Sequence, residues 1–160
     1  MLEADVVELL ESGCGLLVGL VTASGKPLAA RGWGLTVLSG GTRARILIGG
    51  EELPRLGYPP GGEISTMVAV TGSSVLTLRS IQLKGPITTT RPMDDDDADR
   101  LRSYCNAFFD DVAAVDSFPR HLMERMIPPA MCACEFDIVE VYNQTPGPNA
   151  GARVEARAIE

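Results

Sequence analysis

The sequence predicts a mainly β, α+β fold: an antiparallel barrel or sandwich of short strands with helices at its flanks. Three observations lead there. Residues 14–48 and 64–90 hold short apolar and β-branched runs, separated by Gly-, Ser- and Pro-bearing turns at hairpin spacing. The long stretch of helical periodicity, Ala98, Leu101, Cys105, Phe108 and Val112, comes only after those runs. The chain has 160 residues, 45% hydrophobic and 22% charged, which fits one folded domain with a core that needs no staples.

Each element follows from its own residues. Leu2, Val6, Leu9 and Leu10 lie at helical spacing, so residues 3–12 predict an opening helix with Gly13 at its C-cap. Residues 14–22, 27–38 and 43–48 predict three strands. A turn at 23–26 joins the first pair, and Gly40-Gly41 joins the second. Residues 49–63, with Pro54, Pro59 and Pro60, predict an irregular loop. A strand at 64–71, a turn at 72–74 and a long strand at 75–90 follow, with Gly85-Pro86 marking a bend or an edge position. The aspartates at 94–97 suit the first turn of a helix, where each contributes about 0.3–1 kcal/mol against the helix dipole. A short helix over 120–126, stopped by Pro128-Pro129, and a strand over 131–142 complete the domain. Residues 1–142 then form the barrel domain, and 143–160 a Pro- and Gly-rich tail expected to lie extended.

Composition excludes several functions. With 14 Lys and Arg against 21 Asp and Glu, the net charge of −7 has the wrong sign for a nucleic-acid partner. No apolar run approaches the roughly 20 residues of a membrane helix, and the acidic start lacks the basic residues of a secretory signal. A cytoplasmic protein is expected. Cys14, Cys105, Cys132 and Cys134 lack C-x₂-C spacing; Cys132 and Cys134 share a strand face and read as small buried hydrophobes. One histidine, His121, leaves no His-rich metal site, so no metal is expected. Nucleophile-elbow, Walker and dinucleotide motifs are absent, so any chemistry would come from a bound cofactor.

Two strand faces carry chemistry. On the long strand, Ile81 and Leu83 face one way, while Ser80, Gln82 and Lys84 form a polar row facing the other. On the second strand Arg31 and Trp33 share a face amid Ala and Gly. Either group reads as an ordinary solvated or rim face, or as the wall of a ligand site.

Three segments carry a resemblance: Gly25-Lys26-Pro27, Arg79-Ser80-Ile81-Gln82-Leu83-Lys84-Gly85, and Val141-Tyr142-Asn143-Gln144-Thr145-Pro146-Gly147-Pro148-Asn149-Ala150-Gly151. Together with the element order they resemble the pyridoxamine 5′-phosphate oxidase-like, FMN-binding split-barrel superfamily; the last is similar to the tail of an incompletely characterised branch. The resemblance implies a six-stranded antiparallel split β-barrel with flanking helices, a homodimer, and FMN or a related flavin or deazaflavin between subunits. It implies a flavin-linked oxidoreductase acting on a small molecule, without assigning catalytic residues. Carried onto this sequence, Arg43, Arg45, Ser80, Gln82 and Lys84 would hold the phosphate, and Arg31 and Trp33 would line the isoalloxazine end. The segment between the third and fourth strands departs from the basic helix of many members, with Glu51, Glu52 and three prolines. Like charges there would cost a phosphate about 1–4 kcal/mol. That departure motivates the alternative, a non-catalytic dimeric cofactor-binding or interaction module that sequesters a flavin or haem or holds no cofactor.

Overall fold

The computed structural model describes residues 2–21, 25–50 and 66–154. Alternation along the strands builds the core. Leu16, Val18 and Leu20 point inward from β1 (Gly15–Val21), and Ala30 and Leu35 from β2 (Pro27–Leu38). Ala44, Ile46 and Ile48 do so from β3 (Arg43–Gly49), Val68 and Val70 from β4 (Met67–Ser73), and Ile81, Leu83 and Ile87 from β5 (Ser80–Pro92). Cys134 and Phe136 of β6 (Met131–Asp137) complete the set. The strands run β4-β1-β2-β3-β6-β5, and pairing of β4 with β5 closes a six-stranded antiparallel barrel. β7 (Glu140–Asn143) lies outside this ring, added to the first half of β5.

Helices close two sides. α1 (Ala4–Glu11) lays Val6, Leu9 and Leu10 against β2 and β4. α2 (Asp95–Asp116) covers the outer side of β2 with Tyr104, Cys105 and Phe109. Its start is fixed by a capping box: the Asp94 carboxylate accepts from the Asp97 amide at 2.9 Å, and the Asp97 carboxylate accepts from the Asp94 amide at 3.1 Å. The short α3 (Arg120–Glu124) follows, with His121 exposed on it. No helix among the described residues is long and apolar enough to cross a membrane.

Several expectations shift, for local reasons. The Ser74 amide donates to the Arg79 carbonyl and the Leu78 amide to the Ser74 carbonyl, so the turn occupies the residues between them. The fourth strand therefore continues through Ser73, and the long strand begins at Ser80 rather than 75. Gly13 is no helix C-cap; Ser12 ends the helix. What Gly13 allows is close approach, since a Cβ there would lie 2.4 Å from the backbone of Ala107 and Phe108. The strand expected over 131–142 breaks into β6 and β7, where the Ile138 amide bonds Thr42 and the Val139 amide bonds the Lys84 carbonyl at 2.9 Å.

Gly85 sits at that break and is not on an edge. Val68 of β4 pairs it on one side; on the other a Cβ would stand 1.6 Å from the Asp137 carbonyl oxygen. β5 leaves β7 and joins β6 here, which is the split of the barrel. The described part of the tail, residues 143–154, expected to lie extended, turns back instead. Gln144 donates to the Ser80 carbonyl, Gly151 donates to that of Asn143, and Arg153 bridges Tyr142. The loop with Glu51, Glu52, Pro54, Pro59 and Pro60, the start of the fourth strand at 64–65, residues 22–24 at the end of the first strand and the start of the 23–26 turn, and residues 155–160 lie outside the described residues.

Candidate ligand-binding face

Cross-strand register arranges the outward residues of five strands into rows. In one, Arg31 faces Leu17, Leu17 faces Thr71, Thr71 faces Gln82, and Gln82 faces Tyr142. Two residues along, Ala29, Gly19, Ala69, Lys84 and Glu140 form the next row. Adjacent strands lie about 4.8 Å apart, so Arg31 and Gln82 stand about 14 Å apart at their backbones. Ala29, Gly19 and Ala69 make a floor without bulk. Around it the apolar side chains are open to solvent: Leu17 is 60% exposed, Met67 46% and Val21 39%. A groove of about 510 Å³ opens on this face, lined by Gly15, Leu17, Ala29, Arg31, Thr71 and Ser73.

Arg31 is held by rings. Its Cζ lies 4.8 Å from the Trp33 ring centre and 4.4 Å from that of Phe108, and Phe108 stacks on Tyr104. A β-bulge between Gly32 and Leu35 accompanies this placement of Trp33 on β2, and i,i+4 spacing on α2 brings Tyr104 and Phe108 together. Such cation–ring contacts contribute from about 0.5–1 kcal/mol at exposed sites to about 2 when desolvated. Among the described residues no carboxylate pairs with Arg31, and its Nε is buried without a hydrogen bond, as is the Tyr104 hydroxyl. Burial pushes the Tyr104 phenol pKa up, and the nearby Arg31 guanidinium opposes this.

The other candidates divide. Gln82 donates to the Thr71 hydroxyl at 2.9 Å, and Lys84 Nζ sits 4.5 Å from the Tyr142 ring with no ion pair among the described residues. Ser80 belongs to the same strand but is buried: its hydroxyl is 2.5 Å from that of Ser73, and its amide donates to Thr145 of the tail. Arg43 and Arg45 stand elsewhere, on the outer side of β3. Arg43 pairs with Asp137 at 3.0 Å and donates to Thr88. Arg45 bridges Glu135 at 2.8 Å and Asp97 at 3.1 Å, and Asp97 also meets Arg91 at 2.6 Å. Burial alone would raise the Asp97 carboxyl pKa. Hydrogen bonds from Arg91 and the Asp94 amide, with the charges of Arg91 and Arg45, outweigh it and hold the value below the ordinary one.

So the structure joins Arg31 with Trp33, sets Gln82 and Lys84 on the same face, and places Arg43 and Arg45 in ion pairs with acids. Sequence reasoning missed Phe108, Tyr104, Thr71 and Tyr142. Phe108 carried only the signal of an apolar helix face, and Thr71 gains its role from strand register, which one sequence does not fix. Among the described residues no cluster of three or more His, Cys, Asp or Glu could hold a metal.

No protein-family profile and no curated protein matches the sequence. Solved structures do resemble it. HupZ of Group A Streptococcus is 14% identical, covers 94% of this chain and 100% of its own, and superposes with a TM-score of 0.53. A pyridoxamine 5′-phosphate oxidase-related, FMN-binding protein from Nostoc punctiforme is 15% identical over 86% of this chain and 77% of its own, with a TM-score of 0.43. HutZ, the heme storage protein of Vibrio cholerae, is 12% identical over 89% of this chain and 94% of its own, also at 0.43. The closed six-stranded ring, the β5 crossing at Gly85 and the HupZ superposition agree: the fold of this chain is a six-stranded antiparallel split barrel.

Proposed function

We propose that the chain is a flavin-linked oxidoreductase, a cytoplasmic homodimer that binds FMN or a related flavin or deazaflavin on the β1-β2-β4-β5 face and acts on a small molecule. One observation carries the reading: Arg31 and Lys84, neither ion-paired among the described residues, flank a flat floor of Ala29, Gly19 and Ala69. The residues present suit a flat, anionic cofactor, because the floor admits a ring and Lys84 offers a charge. When bound, the flavin supplies the hydride chemistry. In this reading Gln82 orients the ring, Arg31 backed by Trp33 lies at its isoalloxazine end, and Lys84 neutralises the phosphate. Arg43 and Arg45 hold β3 to β6 and α2. The exposed Leu17, Val21 and Met67 want covering, and a two-fold pair of chains is the commonest way to cover such a face.

The test is an FMN titration followed by flavin fluorescence. A lost charge-assisted contact weakens binding by about 1.5–3 kcal/mol, or roughly 10- to 150-fold, in Lys84→Ala. Unchanged affinity refutes the assignment of Lys84. The alternative, a non-catalytic dimeric cofactor-binding or interaction module, is favoured by the engagement of Arg43 and Arg45 with Asp137, Glu135 and Asp97, which leaves a dianionic phosphate fewer cations. Tight flavin binding without oxidation of reduced nicotinamide would select it.

A further inference from the structure

We infer that Arg31 is a carboxylate-capture site, and that the small molecule taken by this face is a flat, largely apolar monoanion. The inference begins with how the guanidinium is held. Trp33 and Phe108 lie 4.8 and 4.4 Å from its Cζ, so its orientation is set by two rings rather than by an acid. Elsewhere in the described residues, Arg43, Arg45, Arg79, Arg91, Arg102 and Arg120 each meet a carboxylate, while Arg100 and Arg153 donate to backbone carbonyls. Arg31 meets no carboxylate among the described residues, and the side chain lines the 510 Å³ groove. A planar guanidinium presents donors in the fork that a carboxylate fills bidentately.

The rest of the groove describes the remainder of the ligand. Gly15, Leu17 and Ala29 give it an apolar, low-relief wall, and the hydroxyl-bearing Thr71 and Ser73 line its other side. Thr71 and Ser73 are already hydrogen-bonded, to Gln82 and Ser80, so they ask little of a ligand. The site therefore has one cation, flat apolar surface and few unsatisfied polar groups. An aromatic carboxylate matches each of these; a polyhydroxylated or dicationic molecule matches none. That the acid is a substrate rests on the flavin reading above; its capture by Arg31 does not.

Trp33 supplies the readout. It is the sole tryptophan of the chain, it is buried, and it touches Arg31. Benzoate is titrated into the full-length protein, with and without FMN, while Trp33 fluorescence is followed. The neutral isostere benzamide is run in parallel. Expected are a saturable change with benzoate, at least tenfold weaker binding of benzamide, and at least tenfold weaker benzoate binding in Arg31→Gln, with partial recovery in Arg31→Lys. Arg79→Gln, which removes an exposed cation paired with Asp5, leaves benzoate binding unchanged. The benzamide arm needs no mutation, so it decides the matter even where Arg31→Gln folds poorly. No saturable change with benzoate, or equal binding of benzamide, overturns the inference. Saturable benzoate binding in a protein that retains no flavin upholds it and refutes the flavin reading alone.

Discussion

Gly85→Ala is the substitution that most directly probes how the barrel is split. The added Cβ would stand 1.6 Å from the Asp137 carbonyl oxygen and 2.7 Å from its carbonyl carbon, both backbone atoms that no side-chain rotation can move aside. Reaching a tolerable 3.0 Å requires a strand displacement of about 1.4 Å. That displacement breaks the Val139 amide bond to the Lys84 carbonyl, at 2.9 Å the link between the β6–β7 break and β5. Overpacking of this kind costs about 1–3 kcal/mol and the lost hydrogen bond about 1, so the expected loss is about 3 kcal/mol. With a urea slope of about 2 kcal/mol per molar, the midpoint falls by about 1.5 M. Trp33 fluorescence follows the transition, at one protein concentration throughout because a dimer's stability depends on it. Gly19→Ala is the control: its Cβ meets only Ala69 atoms at 3.8 Å, and it should be neutral or slightly stabilising. A loss below about 1 kcal/mol for Gly85→Ala, or equal losses for both, refutes the reasoning.

Three further outcomes are expected. Asp97 is 2% exposed and meets both Arg45 and Arg91, so Asp97→Asn costs about 3 kcal/mol or more near neutral pH. Because its folded pKa is depressed, that contribution is full above the unfolded value of about 3.9 and fades as pH falls through the lower folded value; urea midpoints across that range should converge for wild type and variant. Leu17→Asp leaves the fold intact, since Leu17 is exposed, but shifts sedimentation from dimer to monomer; an unchanged dimer contradicts the placing of the interface. Burial pushes Cys14 up to about 11 and Cys134 up to about 12, and raises Cys105 and Cys132, so a thiol reagent at about pH 8 should find the native protein slow and the unfolded chain fully reactive at all four cysteines.

Much of the fold was legible because it depends on local pattern. The second strand matches its expected bounds, Pro27–Leu38, since alternation and flanking turns define it. The aspartates announced α2 through their fit to the helix dipole, although one of them, Asp97, became the buried hub of an ion network that the run itself did not suggest. What failed was non-local. The break of the last strand at Ile138-Val139 is imposed by Thr42 and Lys84, distant in sequence, and the backward turn of the tail by Ser80 and Asn143. The candidate residues fared likewise. Arg31 and Trp33 share a face by strand period, but the ring that completes their cluster, Phe108, comes from a helix more than seventy positions away. Arg43 and Arg45 looked available because Asp137, Glu135 and Asp97 come beside them only through β3–β6 pairing and the docking of α2.

A visible absorption spectrum reports whether a flavin sits on the Arg31–Lys84 face. The purified protein is incubated with excess FMN, desalted and scanned, beside Lys84→Ala. Flavin bands that stay with the wild-type chain in stoichiometric amount, and are reduced in the variant, are the predicted result. A featureless spectrum, or a Soret band from the protein as purified with no flavin retained, would contradict the account.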